Sequence, residues 1–147
     1  MQTLNLPAFE AKLRQEQGKI RIFDAVRKKY VVCTPEEWVR QHVVHYLLNQ
    51  KAYPRSLFRI ESGLTGSVRM QRTDLVVFDR DAKPWLLVEC KAPDERMTED
   101  VFRQALVYNR ILAAPFVAVT NGLEHYCFQP DDAGQPRFLA GFPDFEK

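Results

Sequence analysis

Two short apolar runs, DLVVFD (residues 74–79) and WLLVECK (residues 85–91), constrain this chain more than anything else in it. The polar turn signal RDAKP joins them, so they read as consecutive antiparallel strands. Strand alternation places Trp85, Leu87, Glu89 and Lys91 on one face, and Leu86, Val88 and Cys90 on the other. Both faces begin apolar, which predicts a central strand covered on both sides. One of them nevertheless ends in a carboxylate and an ammonium, and charges there must be paired, hydrated or bound to a metal.

Pairing sharpens that expectation. With Asp79 opposite Pro84, Asp74 falls opposite Glu89, and directly opposed residues share a face with Cβ atoms about 4.5–5.5 Å apart. Two such carboxylates repel unless a cation lies between them or one takes a proton. A hard divalent ion is the economical solution, Mg2+ with Mn2+ as a substitute, held by Asp74 and Glu89. Lys91 would orient the attacking water and oppose charge developing on phosphorus. The letters ExK are common in strands, and an exposed hairpin with an Asp–Lys pair would also produce them. The doubly apolar strands and the Asp74–Glu89 register are what favour the metal site.

The rest of the chain supplies a scaffold. No repeat, linker or low-complexity tract divides residues 1–147, which read as one domain with a core of about 34–128 and an N-terminal helix/hairpin extension, 1–33. In the extension, Leu4 to Gln17 has weak helical periodicity ended by Gly18, and KIRIFDA and KKYVV form a hairpin. Thr34, Pro35 and Glu37 then read as N-cap, first helical residue and reciprocal capping-box partner of a helix that buries Val39, Val43, Val44 and Leu47. Strands SLFRIES, VRMQRTDLVVFD and WLLVECK follow. A second helix, roughly Thr98 to Ala113, precedes strand FVAVT, and Asn121-Gly122 signals a turn into LEHYCFQ. The predicted fold class is α/β, a mixed central sheet flanked by helices, with the second helix as a right-handed crossover.

Several polar residues lie near this scaffold. Gln104 and Tyr108 are four apart on one side of the second helix, at the edge of its apolar stripe. Glu36 and Glu37 both fall near the stripe of the first helix. Arg40, Arg69 and Arg72 are candidates for phosphate contact, since guanidinium binds phosphate bidentately. His42 and His45 read as helix surface and boundary residues, and with His125 they form neither metal spacing nor triad.

Composition excludes some classes. The chain is 46% hydrophobic and 27% charged, as in globular domains, and no apolar run reaches the roughly 20 residues of a membrane span. Its N-terminus lacks the apolar core of a signal peptide, and three scattered cysteines make neither disulfide framework nor zinc site, so a cytoplasmic setting is expected. Residues 1–73 carry 13 Lys+Arg against 6 Asp+Glu, a balance of +7, whereas residues 74–147 carry 8 against 13, a balance of −5. That asymmetry suits a protein holding a polyanion on one side and a cation on the other, and equally suits an accident of surface composition.

The ordered stretches TPEEWVRQH, QRTDLVVFD, LLVECKAP, QALVY and VTNGLEHY closely resemble the N-terminal nuclease domain of type I restriction enzyme R subunits, in a small stand-alone form, within the PD-(D/E)xK superfamily. The resemblance covers most of residues 34–128. It implies an αβββαβ restriction-endonuclease-like core, a bacterial source and a role in restriction or defence. It also implies magnesium-dependent hydrolysis of DNA, with metal ligation at Asp74 and Glu89 and the catalytic lysine at Lys91. The QxxxY motif of RecB-like relatives falls on Gln104 and Tyr108, and the acidic residue of the first helix on Glu37 or Glu36. Thr73 stands where the motif name has proline. No GxxxxGK[ST] loop is present, so neither ATP nor translocation carries over. The partners expected are DNA and, because cutting both strands commonly requires two sites, other subunits or a homodimer. The alternative is a non-catalytic nucleic-acid-binding or assembly module that keeps the nuclease fold; action on RNA or on branched or single-stranded DNA is a third reading.

Overall fold

A computed structural model describes the backbone of residues 1–61, 64–65, 68–69 and 74–145, and the side chains of residues 1–60 and 75–145. The extension is all β where a helix was expected. Strands β1 (Leu13–Glu16), β2 (Lys19–Asp24) and β3 (Lys29–Val32) make an antiparallel sheet of their own. The expected hairpin is β2–β3. Leu4 to Gln17 is not helical: Gln17 and Gly18 both take positive φ and form a tight turn that folds β1 onto β2. The alternation of Leu13, Gln15 and Lys12, Arg14 across a pleated surface overrides the weak helical period.

Helix α1 (Pro35–Asn49) starts as the sequence predicts, with Thr34 Oγ1 accepting the backbone N–H of Glu37 at 3.1 Å. The reciprocal half of the capping box is not made. The N–H of Thr34 donates to the Val32 carbonyl, and the Glu37 carboxylate is engaged elsewhere. Val39, Val43, Val44 and Leu47 are fully buried.

Strand β4 (Phe58–Glu61) follows, then the two-residue strands β5 (Leu64–Thr65) and β6 (Val68–Arg69), which pair with each other. Of the run expected as one strand, VRMQRTDLVVFD, the pieces Val68–Arg69 and β7 (Asp74–Phe78) are strand, and 70–73 lie outside the described residues. After β8 (Pro84–Cys90), helix α2 (Glu99–Leu112) leads to β9 (Phe116–Thr120), β10 (His125–Pro130) and β11 (Pro136–Phe138). The main sheet has the order β11-β10-β9-β8-β7-β4, with β8 and β9 parallel and the other pairs antiparallel. The α2 crossover between β8 and β9 is what makes that pair parallel.

Each face of this sheet has its own apolar core. Leu75, Val77, Leu86 and Val88 pack with α1, whereas Val76, Leu87, Val117 and Val119 pack with Val101, Ala105 and Tyr108 of α2. The β7–β8 register departs from expectation at its turn. Asp79 donates its N–H to Lys83, and its carboxylate accepts the N–H groups of Asp81 and Lys83, so Asp79 belongs to the turn. Pro84 pairs with Phe78 instead, and a bulge between Val77 and Phe78 restores the expected register by Val77↔Leu86 and Leu75↔Val88. Trp85 is the extra residue. The bulge re-aims its side chain to the α1 side, against Phe116 and Phe145, away from the Leu87 face on which simple alternation placed it.

Candidate functional site

Strand β8 carries Glu89 and Lys91 to its C-terminal end between two neighbouring strands. Both residues are 4% exposed. Glu89 pairs with Val119 and Cys90 with Thr120 in the parallel register, and the Lys91 N–H continues the ladder by donating to the Thr120 carbonyl at 2.8 Å. The lysine is thus fixed at its backbone although the strand proper ends at Cys90. Its ammonium lies 3.7 Å from a carboxylate oxygen of Glu95, a half-exposed residue on the loop that follows.

That loop is braced. Glu95 closes a turn by donating its N–H to the Ala92 carbonyl, and its own carbonyl accepts the side-chain N–H of Asn121 at 2.9 Å. The other end of the same amide accepts the N–H groups of Leu123 and Glu124. Asn121 therefore shapes the β9–β10 turn and anchors the lysine loop together. Sequence reasoning found Asn121 as a turn residue and missed its second contact and Glu95. An Asn in a turn has spare amide donors, which was the available signal.

The third expected member is Asp74. It begins β7 and pairs with Glu61 on β4. Continuing the β7–β8 register one residue beyond Leu75↔Val88 brings its backbone to the position across from Glu89. The side chain of Asp74 lies outside the described residues, as do that of Arg69 and the whole of Arg72. On α2, Tyr108 is buried beside Val76 and Leu87, whereas Gln104 faces solvent. Asn109, unremarked in the sequence, holds Ala114 by both its N–H and its carbonyl; this closes α2 across Ala113, which takes positive φ.

Glu37 stands in a different setting. One carboxylate oxygen accepts Arg27 at 2.8 Å and Arg40 at 2.6 Å, and the other accepts the Gln41 amide at 2.8 Å. Arg27 also pairs with the fully buried Asp24. Burial works against charge on Arg27, yet the Asp24 hydrogen bond and the charges of Glu37 and Asp24 hold its pKa above the usual value. Burial, then the Glu37 charge, pushes the nearby Cys33 thiol up to about 11, so it is no nucleophile at neutral pH. Arg40, expected to meet phosphate, is buried with its guanidinium on Glu37. Glu36, the other candidate on α1, is half-buried.

The histidines are structural. His42 is buried, not a surface residue; its Nδ1 donates to the Trp38 carbonyl, and Phe9 and Trp38 meet the ring edge-on. His45 stacks on Phe9 at 4.1 Å. Burial lowers the pKa of both. His125 Nε2 donates to the Asn5 carbonyl, since a carbonyl can only accept, and Nδ1 shares a hydrogen bond of 2.6 Å with Thr120 Oγ1.

An αβββαβ core with one mixed sheet between two helices is an α/β, nuclease-like fold. The chain belongs to the family described as Type I restriction enzyme R protein N terminus (HSDR_N), which it matches over residues 35–143, about three quarters of its length. No curated protein and no solved structure matches it. No helix among the described residues is long and apolar enough to cross a membrane.

Proposed function

We propose that this chain is a divalent-metal-dependent DNA endonuclease whose site comprises Asp74, Glu89 and Lys91. The observation that supports this most is the burial of Glu89 and Lys91 together at the end of a central strand whose register leads to Asp74. The donor set fits magnesium, which takes one or two carboxylates and fills its remaining positions with water and phosphate. Among the described residues no three His, Cys, Asp or Glu gather as a cage, and magnesium requires none. Glu89 and Asp74 would hold the ion, which supplies Lewis acidity and a more acidic bound water.

The protein's own contributions follow from placement. Lys91, fixed by the Thr120 carbonyl and braced beside Glu95, presents a positive charge to the phosphate as its negative charge grows. The water oxygen bonds to phosphorus and gives up a proton, one bridging P–O bond breaks, and the departing oxygen takes up a proton. Tyr108 belongs to the apolar core between α2 and the sheet, and Gln104 is exposed on α2. Arg69 and Arg72 remain proposed phosphate contacts, whereas Arg40 supports Glu37.

One observation favours the alternative of a non-catalytic binding or assembly module: Glu37, the acid the family resemblance assigns to the site, is engaged by three donors. Supercoiled plasmid incubated with Mg2+ or Mn2+ decides between them. The wild type is expected to nick or linearise it, while Glu89→Ala and Lys91→Ala lose at least about 100-fold in rate. Cleavage that persists in excess chelator refutes the metal assignment. Binding without cleavage under any divalent ion establishes the module instead.

A further inference from the structure

The outward face of the N-terminal sheet carries a cluster that the nuclease site does not use. The registers Arg14↔Arg21 and Phe23↔Tyr30 set these four residues on one face, with Lys12, Glu16 and Lys19 in the same alternation. Leu13, Ile22 and Val31 share the other face, where Ile22 is fully buried. Residues 12–29 hold seven Lys+Arg against Glu16 and Asp24. Asp24 is turned inward to Arg27, which leaves Glu16 as the acid on the outward face, 3.5 Å from Arg14 and directly opposite Lys19.

One feature of the cluster favours an added anion. Arg14 and Arg21 are directly opposed, an arrangement that destabilises an antiparallel pair. The aromatic rings also hold the cations outward. The Arg14 guanidinium sits 3.7 Å from the Tyr30 ring centroid, and the Lys12 ammonium 5.4 Å from that of Phe23. The rings meet edge-on, 5.4 Å apart, and so support both cations as one platform. With cations over the ring faces, base stacking is blocked and phosphate contact is favoured.

We propose that this face binds the phosphate backbone of duplex DNA, independently of sequence, outside the catalytic site. The choice of DNA rests on the nuclease reading above; the anion-binding surface rests on the sheet alone.

The test measures binding of the full chain to a labelled duplex in EDTA, across a range of salt. Arg14→Ala/Arg21→Ala should weaken binding about tenfold or more. It should also reduce the slope of log affinity against log salt by about 2, at roughly 0.9 per lost phosphate contact. Arg103→Ala/Arg110→Ala removes the same charge from the exposed face of α2 and should change affinity less than about twofold. Melting confirms folding, and the first variant should melt no lower than wild type at low salt. Equal losses for both variants, or an unchanged slope for the first, overturn the proposal. Cleavage at saturating DNA in Mg2+ is read separately. Its absence in the wild type ends the nuclease reading without touching the binding result, and its persistence beside unaltered binding ends only the surface.

Discussion

Two buried carboxylates, Glu37 on α1 and Glu89 on β8, have almost the same low exposure and stand at different places in the fold. Glu37 meets two guanidiniums and an amide within 2.8 Å and belongs to a chain of charges from Asp24 to Arg40. Glu89 lies at the end of a parallel strand, and the nearby Lys91 reaches Glu95 only at 3.7 Å. The first arrangement spends its hydrogen-bonding capacity on joining the N-terminal sheet to α1. The second keeps a cation at long range beside a carboxylate, an arrangement that leaves the ammonium room to meet a substrate. Burial alone therefore does not identify a catalytic acid; what separates these two is position, one joining the N-terminal sheet to α1 and the other at the end of a central strand.

Substitution can break this contrast. Glu37→Ala leaves Arg27 and Arg40 facing each other without their shared anion, and should cost about 3–5 kcal/mol in denaturant unfolding. If stability is unchanged while metal-dependent cleavage vanishes, Glu37 belongs to the catalytic site and the comparison fails. Glu89→Gln should behave in the opposite way. In metal-free buffer it removes one of the two carboxylates of the proposed Asp74–Glu89 site, and the stability change should be a gain of about 1 kcal/mol or less. A loss as large as that of Glu37→Ala would make Glu89 another structural acid.

The smallest effect is one of pH and concerns the α1 side alone. His42 and His45 have folded pKa values lowered by burial, so the unfolded chain binds protons first as pH falls. The stability from keeping both rings neutral is complete above the unfolded value of about 6.5 and declines below it. The melting temperature should be level from pH 8 to 7 and fall below about 6.5, and His42→Gln should flatten the fall. A melting temperature that rises on acidification would contradict the buried, neutral histidines.

The parts legible in the sequence are those fixed by periodicity and local chemistry. The α1 cap and stripe, the α2 crossover, the β7–β8 hairpin and the Glu89–Lys91 strand end all follow from short patterns. The β7–β8 register from Leu75 to Val77 was reached from a wrong premise, because Asp79 closes the turn and a bulge at Trp85 restores the count. Contacts across long sequence separation were not legible. Arg27 on Glu37, Asn121 on Glu95 and His125 on Asn5 join residues that no local pattern relates. The strand at Leu13 was missed because four residues show too few alternations to outweigh a weak helical period.

The β9–β10 turn has a mechanical consequence. Asn121 grips the loop carrying Glu95, while Asn5 donates its N–H to the Gly122 carbonyl and receives the His125 ring. Gly122 has φ of 87°, and an added Cβ would come within 3.0 Å of Leu4 and 3.1 Å of Val39. The first residues of the chain therefore act as a strap drawn over the hinge from which the lysine loop hangs. Cutting the protein back to the family boundary at residue 35 would remove that strap along with the basic sheet. A shortened protein that loses activity would then report a slackened joint as readily as a lost DNA contact, and point substitutions are the cleaner instrument for telling the two apart.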